Sequence, residues 1–439
     1  MTLQEKVKEF LLRVKEGYHP SDLAELIEDL TDQQKKELFD LLSDEDAALI
    51  LQEMEEIDQV TLFRLLTKTR ASAVLKEMAS DEAADLLGEL PPDEAREILD
   101  LIEENAEEIE GLLRFPEESA GGIMTTEFIA LPENIPAEEA ITRLREIAPE
   151  AEIIYYVYVV DEETRLSGVL SLRDLISASD GTLLQEIMNP NVISVNAMMD
   201  QEEVARVVSR YDLLAVPVVD EQNRLLGIIT VDDIIDVIEQ EASEDIYLMA
   251  GTGDVEGVDL MNVSVFSIAK IRLPWLIISL LGGLLSGSVI GHFESTLQTI
   301  VLLAVFIPAI MDMGGNVGTQ SSTVFVRGLA TGELKQEQAW QYFLKEIRVG
   351  LTMGAVCGLL IASAAVIWKG VPILGLAVGI AMFTTVTLAA IIGTLVPLLF
   401  SRLGIDPAIA AGPFVTTIKD ITGLLIYFWV ATLFLPYLS

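Results

Sequence analysis

The chain has 439 residues and a formal charge of -41, and the whole excess precedes residue 255, because the remainder holds nine acidic and nine basic residues. A single cysteine, Cys357, excludes an intrachain disulfide and any zinc site built on two or more cysteines. So acidic a front repels phosphate backbones and attracts cations, so nucleic acid is not an expected partner.

Met1 to Val14 interleaves Lys, Glu and Leu at helical spacing and lacks the apolar core and cleavage site of a signal peptide. The front half is therefore expected in the cytoplasm. Residues 3 to about 115 read as short helices of about ten residues, in the segments DLAELIEDL, KELFDLL, ASAVLKEM, EAADLLGEL and EAREILDLI. Pro91, Pro92 and Ser/Thr-Asp pairs supply breaks and N-caps. That rhythm predicts stacked helices in a curved array, with Leu86, Leu87 and Leu90 in its core.

From residue 120 the pattern becomes strand, helix and turn, and it repeats. IIYYVYVVDEETRLSGVLSLRDLI (Ile153 to Ile176) is echoed by LLAVPVVDEQNRLLGIITVDDII (Leu213 to Ile235) at an offset of about 59 residues. GVLSLRD and GIITVDD each end a strand in Ser or Thr and open a helix three residues before an Asp. Two like modules packed together are expected, and the segment resembles a pair of cystathionine-β-synthase (CBS) domains. That resemblance implies an adenine nucleotide, ATP among them, near Tyr156, Arg173 and Asp174, although Leu213 stands where an aromatic often stacks on the base.

The second module runs into VDDIIDVIEQEASEDIYLMAG, a helix carrying Asp232, Asp233, Asp236, Glu239, Glu241, Glu244 and Asp245. Like-charge pairs at i,i+4 each cost about 0.2 to 0.5 kcal/mol in an isolated helix. Further acids wait in the array (Asp81, Asp85) and in the second module (Asp200, Glu202, Asp212). Such a run is either a solvated face or a surface that bridging cations draw together.

Uncharged runs then follow from Leu273 to Gly291, Ser295 to Met311 and past one Asp to Val326, Val349 to Trp368, Gly370 to Ser401, and Pro407 to Ser439 broken by Lys419 and Asp420. Each suits a helix of roughly 20 residues or more, enough to cross a bilayer, so five crossings are expected. Lys270, Arg272, Arg327, Lys335, Lys345, Arg348 and Arg402 then fall inside and Lys369 outside, a positive-inside bias that puts the C-terminus outside.

Lipid would refuse Asp312, Lys419 and Asp420, each of which costs about 2.5 to 3.5 kcal/mol in mid-bilayer even on a lenient scale. The second crossing carries PAIMDMGGNVGTQSS, where Gly314 and Gly315 either let helices pack closely or let the helix break and expose carbonyls beside Asn316 and Gln320. The fifth carries PFVTTIKDITGLLIYF, with Thr416, Thr417, Asp420 and Gly423 three or four residues apart, so two oxygen ligands, a carboxylate and a gap are expected on one face. Hard divalent cations prefer such oxygens, and Mg2+ keeps several waters and takes one or two carboxylates.

GGNVGTQSS, PFVTTIKDITGLLIYF, the acidic array and the CBS pair together resemble the MgtE family of magnesium channels over essentially the whole chain. The resemblance implies a multi-domain membrane protein with an all-α acidic helical-array domain at 1–118, an α/β CBS-domain pair at 119–245, a long connecting (plug) helix at 246–268 and a five-helix transmembrane domain at 269–439. It implies a homodimer in the inner membrane, with Asp420 of each chain holding hydrated Mg2+ on its way into the cytoplasm. It also implies closure by Mg2+ bound at Asp81, Asp85, Glu202, Asp212, Asp232, Asp233, Asp236, Glu241, Glu244, Asp245 and Asp406. Asp312 and Lys419 depart from the family pattern, and the expectation is that they pair across the second and fifth crossings. The alternatives are a carrier or exchanger using the same ligands, or a nucleotide-sensing receptor without transport. An intramembrane enzyme built on Asp312 and Asp420 lacks a nucleophile and a usable His, so no enzyme is expected.

Overall fold

The computed structural model describes residues 3–28, 30–102, 105–147, 151, 153–252, 264–299 and 301–438, which form two compact units, Met1–Glu239 and Gln240–Ser439. The first unit opens, among the described residues, with the nine short helices α1 (Leu3–Lys15), α2 (Pro20–Glu28), α3 (Asp32–Phe39), α4 (Asp44–Gln52), α5 (Glu56–Leu65), α6 (Lys68–Lys76), α7 (Ser80–Gly88), α8 (Pro92–Leu99) and α9 (Ala106–Leu112). Helices this short cannot stand alone in water. From α2 onward each packs on the helix two places along, so Ile27, Leu38, Phe39, Ile50, Leu51, Leu62, Phe63, Val74, Leu75 and Leu87 fuse into one core. Local chemistry fixes the joints. Ser43 and Thr67 accept from the backbone of Asp46 and Arg70, and the Arg70 guanidinium donates to the carbonyls of Phe39 and Leu42 at 2.9 and 2.8 Å, satisfying the frayed end of α3.

Two modules follow, each with a three-stranded sheet. The first holds β1 (Ala130–Pro132), α10 (Ala137–Ile147), β2 (Tyr156–Val160), β3 (Leu166–Ser171) and α11 (Leu172–Ser177), and α12 (Leu184–Ile187) leads out of it. The second holds β4 (Val195–Asn196), α13 (Gln201–Tyr211), β5 (Ala215–Val219), β6 (Leu225–Thr230) and α14 (Val231–Ala250). In each sheet the first pair is parallel and the second antiparallel. The repeat extends to irregularities: β2 and β5 both shift register at the same place, Val159/Val160 and Val218/Val219. Both turns use an Asp, Asp161 and Asp220, to accept two backbone N–H groups, with Thr164 and Asn223 in the left-handed region.

The second unit contains five helices long and apolar enough to cross a membrane, over Val265–His292, Val301–Ala330, Gln336–Lys369, Pro372–Arg402 and Pro407–Tyr437. They are α15 (Val265–His292), α16 (Glu294–Thr299) with a 3-10 turn at Val301–Phe306, α17 (Ile307–Ala330), α18 (Ala339–Lys369), α19 (Pro372–Arg402), α20 (Pro407–Ala411) and α21 (Pro413–Leu438). Leucines 280, 281, 284 and 285 of α15 face outward at 56 to 64% exposure, which suits lipid and not water. Most of α19 is buried against α17, α18 and α21. Gly350, Gly354 and Gly358 of α18 meet Gly379 of α19 and its neighbours so closely that a Cβ at Gly354 would stand 2.7 Å from the Phe383 carbonyl oxygen.

Two differences from the sequence reading, and one choice it left open, have physical causes. Of the two roles open to the glycines, close packing and a helix break, the break is absent: α17 runs unbroken through Gly314 and Gly315, and the irregular turn lies before it, at Val301–Phe306, where Tyr427 donates to the Leu303 carbonyl at 2.7 Å. The carbonyls of those glycines therefore stay within an α-helix and are not freed as ligands. Crossing three was expected to begin at Val349, but α18 begins ten residues earlier, and Glu346 in that extension is buried. Finally, the expected limit at 246 falls inside α14, which continues to Ala250, while residues 253–263 of the expected connecting helix lie outside the described residues.

Candidate ion pathway and regulatory acids

The membrane unit brings its improbable charges together where α17 meets α21. Lys419 is 8% exposed, and its Nζ stands 3.8 Å from Oδ1 of Asp420, whose side chain keeps 29% exposure. Adjacent residues on a helix diverge by about 100°, so the lysine must curl back to reach its neighbour. It does so along a notch in α17: Cβ atoms at Gly318 and Gly315 would lie 3.3 Å from its Cδ and 2.6 Å from its Nζ. Asp312 acts on the same ammonium from a turn away, while accepting from Asn316 Nδ2 at 3.3 Å. The expected offset between Asp312 and Lys419 takes the form of an electrostatic interaction between α17 and α21 and not of a close ion pair. Among the described residues Lys419 forms its close ion pair with Asp420, and Asp312 supplies longer-range compensation.

Other expected ligands are divided among neighbours. Thr417 packs on α15, where a Cβ at Gly282 would stand 2.5 Å from its Oγ1, and Gly423 packs on Thr385 of α19. Thr416 is half-buried on the turn before Asp420. Asn316 and Gln320 line a cleft of about 410 Å³ between α17 and α18, with Thr352 and Cys357 opposite. One polar contact was missed: Glu346 accepts from Ser321 Oγ at 2.7 Å, joining α18 to the GGNVGTQSS stretch in the interior. Glu346 stands between Lys345 and Arg348, just before the uncharged run that opens at Val349, so nothing in the local pattern marks it for burial.

In the first unit Asp81, in the first turn of α7, meets the start of α14. Its Oδ1 is buried without a hydrogen-bond partner, and burial pushes the carboxyl from 3.8 up to about 6, with the charge of Asp233 adding to the effect and a Thr125 hydrogen bond opposing it. Burial raises Asp233 as well, against hydrogen bonds from Thr230 and with the charges of Asp232 and Asp236 adding. Asp236 is raised by burial and then by Glu239 and Asp232. Asp85 is exposed, Glu202 pairs with Arg206, Asp212 ends α13 in the left-handed region, and Asp406 caps α20 through the Ala408 N–H at 2.7 Å. Glu241, Glu244 and Asp245 lie half-buried along α14. No cluster of three or more His, Cys, Asp or Glu suited to a metal occurs among the described residues.

Both Ser/Thr-x-x-Asp endings cap helices. Ser171 accepts from Asp174 N at 3.1 Å and donates to its carboxylate at 2.5 Å, while Thr230 donates to Asp233 at 2.6 Å. Tyr156 lies directly across the ladder from Ser171, so it, Arg173 and Asp174 share one end of the first sheet. A carboxylate for ribose hydroxyls and a guanidinium for phosphates fit a nucleotide there.

The family model described as MgtE, divalent cation transporter, matches residues 307–430; the MgtE intracellular N domain matches 18–118, and the CBS domain matches 120–181 and 184–240. A magnesium transporter MgtE of Thermus thermophilus is 43% identical over 437 residues, which is 99% of this chain and 97% of the relative. One of Enterococcus faecalis is 47% identical over 334 residues, 76% of this chain and 73% of its own length. A crystal structure of the cytosolic domain of the Mg2+ channel MgtE in complex with ATP is 42% identical with a TM-score of 0.50, covering 54% of this chain and 98% of that one.

Proposed function

The chain belongs to the MgtE family of magnesium transporters, and from that premise we propose that two copies form a pore between them that passes Mg2+ into the cytoplasm, with Asp420 of each copy touching the hydrated ion. The observation that carries this is a partly exposed carboxylate in mid-helix of the fifth apolar span, kept beside a buried lysine. Half-exposure matters because Mg2+ gives up its waters reluctantly, so a carboxylate reached through water suits it better than a dry cage. Thr416, one turn before Asp420 on α21, would add an oxygen to the same path. The odd number of spans and the basic residues at their inner ends support a cytoplasmic N-terminal region and an outside C-terminus.

Closure by cytosolic Mg2+ follows from the acids near α14. Asp81 and Asp233 repel one another across a contact that burial makes costly, and a divalent cation there turns repulsion into attraction. Asp85, Glu202, Asp212, Asp232 and Asp236 of the first unit, and Glu241, Glu244, Asp245 and Asp406 of the second, are the other carboxylates that would answer to Mg2+ in this reading. A shortage of Mg2+ would loosen the contact and open the pore. ATP at Tyr156, Arg173 and Asp174 would bias that equilibrium; the ATP complex of the similar cytosolic domain supports this. Transport, with nothing transformed, accounts for the site.

Mg2+ uptake by proteoliposomes tests the reading. Asp420→Ala is expected to lower flux by at least about 100-fold, since the removed charge is the one that replaces lost hydration. Flux equal to that of the unaltered protein would remove Asp420 from the path.

A further inference from the structure

Lys419 is an odd neighbour for a residue that touches a permeating cation, and its placement is not incidental. A methionine or leucine would fill the notch over Gly315 and Gly318 without the desolvation that an ammonium suffers there. The ammonium is instead aimed at Asp420 Oδ1, 3.8 Å away, while Asp312 balances it from α17. Three charges within a few side-chain lengths leave a net charge of about -1 per chain, where the two carboxylates alone would give -2.

Resting on the reading of Asp420 as the pore acid, we propose that Lys419 is a tethered counter-ion that weakens the grip of Asp420 on Mg2+ so that the ion can leave. Its charge acts on a divalent ion with twice the force it exerts on a monovalent one. Conduction needs a site attractive enough to fill and weak enough to empty, and a bare carboxylate duplicated in a low-dielectric pore errs on the side of trapping. Lys419 is a positioning residue in this scheme: it acts through Asp420, and because its stem is packed in the α17 notch, it cannot swing away to leave a high-affinity trap.

The test is the dependence of Mg2+ flux on Mg2+ concentration for the full-length protein in liposomes. Lys419→Met is expected to lower the half-saturating concentration by about tenfold or more and to reduce maximal flux, while Lys419→Arg keeps both near their original values. A merely structural role would reduce the amount of active protein and leave half-saturation alone. Because Lys419→Met leaves Asp312 without its compensating charge, the double variant Asp312→Asn/Lys419→Met is measured beside it and is expected to shift half-saturation the same way by less. An unchanged or raised half-saturation in both methionine variants overturns the proposal, as does the failure of both to give monodisperse protein, which would assign Lys419 to folding alone. Asp420→Asn separates the two levels: its full retention of flux sinks the pore reading itself, whereas its loss of flux with unaltered half-saturation in Lys419→Met sinks only the counter-ion.

Discussion

Asp81 shows how one carboxyl can be both a liability and a sensor. Its folded-state value near 6 lies above the ordinary 3.8, so the folded state holds the proton more tightly than the unfolded chain does. The stability it contributes is complete at pH below about 4 and is lost as pH rises through about 6, leaving an ionised, crowded carboxylate that costs about 2 to 3 kcal/mol at neutral pH. Asp81→Asn is therefore expected to stabilise the metal-free chain at pH 7.5 by up to that amount and to do little at pH 3.5. It should also blunt the stabilisation given by Mg2+. Thermal unfolding of the full-length protein in detergent, with and without Mg2+ at the two pH values, measures this. A variant less stable than the parent at pH 7.5 without Mg2+ would refute the assignment of strain to this carboxyl.

Among the elements, the α18–α19 hairpin owes its tightness to glycine. Gly354→Ala would press a methyl against the Phe383 carbonyl oxygen, which belongs to a helix backbone and cannot yield as a side-chain tip can. Overpacking of this kind costs about 1 to 3 kcal/mol. Gly283→Ala on α15 meets nothing within 4 Å and serves as the neutral comparison. Monodispersity after heating in detergent should fall for Gly354→Ala and hold for Gly283→Ala; equal loss in both would mean that the glycine contact does not govern packing. The existence of these helices was legible in the sequence, because runs of uncharged residues and three-four periodicity are local properties. The duplicated strand pair was equally plain, since its turn residues recur at fixed places. What the sequence could not disclose were contacts between elements. The close approach of Gly318 to Gly393 and the hydrogen bond from Ser321 to the buried Glu346 are both of this kind. The true partner of Lys419 was likewise decided by a notch in a helix a hundred residues away.

For the whole molecule, the segregation of charge fixes which end meets water. All of the -41 precedes residue 255, while the later residues balance to zero and contain five helices long and apolar enough to cross a membrane. The proposed topology, with an odd number of crossings, puts the two ends of the chain on opposite faces. With Cys357→Ser as background, Lys369→Cys and Tyr437→Cys should react with an impermeant maleimide applied to intact cells, and Lys335→Cys only after permeabilisation. Labelling of position 335 in intact cells would invert the arrangement.

The doubled module has one more implication. Asp174 and Asp233 hold the same place in two copies of one fold, and each caps a helix. Yet the Ser171 hydroxyl holds the first below the ordinary carboxylate range, while burial lifts the second above it. One copy thus serves as an internal reference for the other. Both retain the architectural duty, and only the second has been recruited into a crowded junction with Asp81. Duplication supplied a spare carboxylate that could specialise without endangering the turn it was already holding.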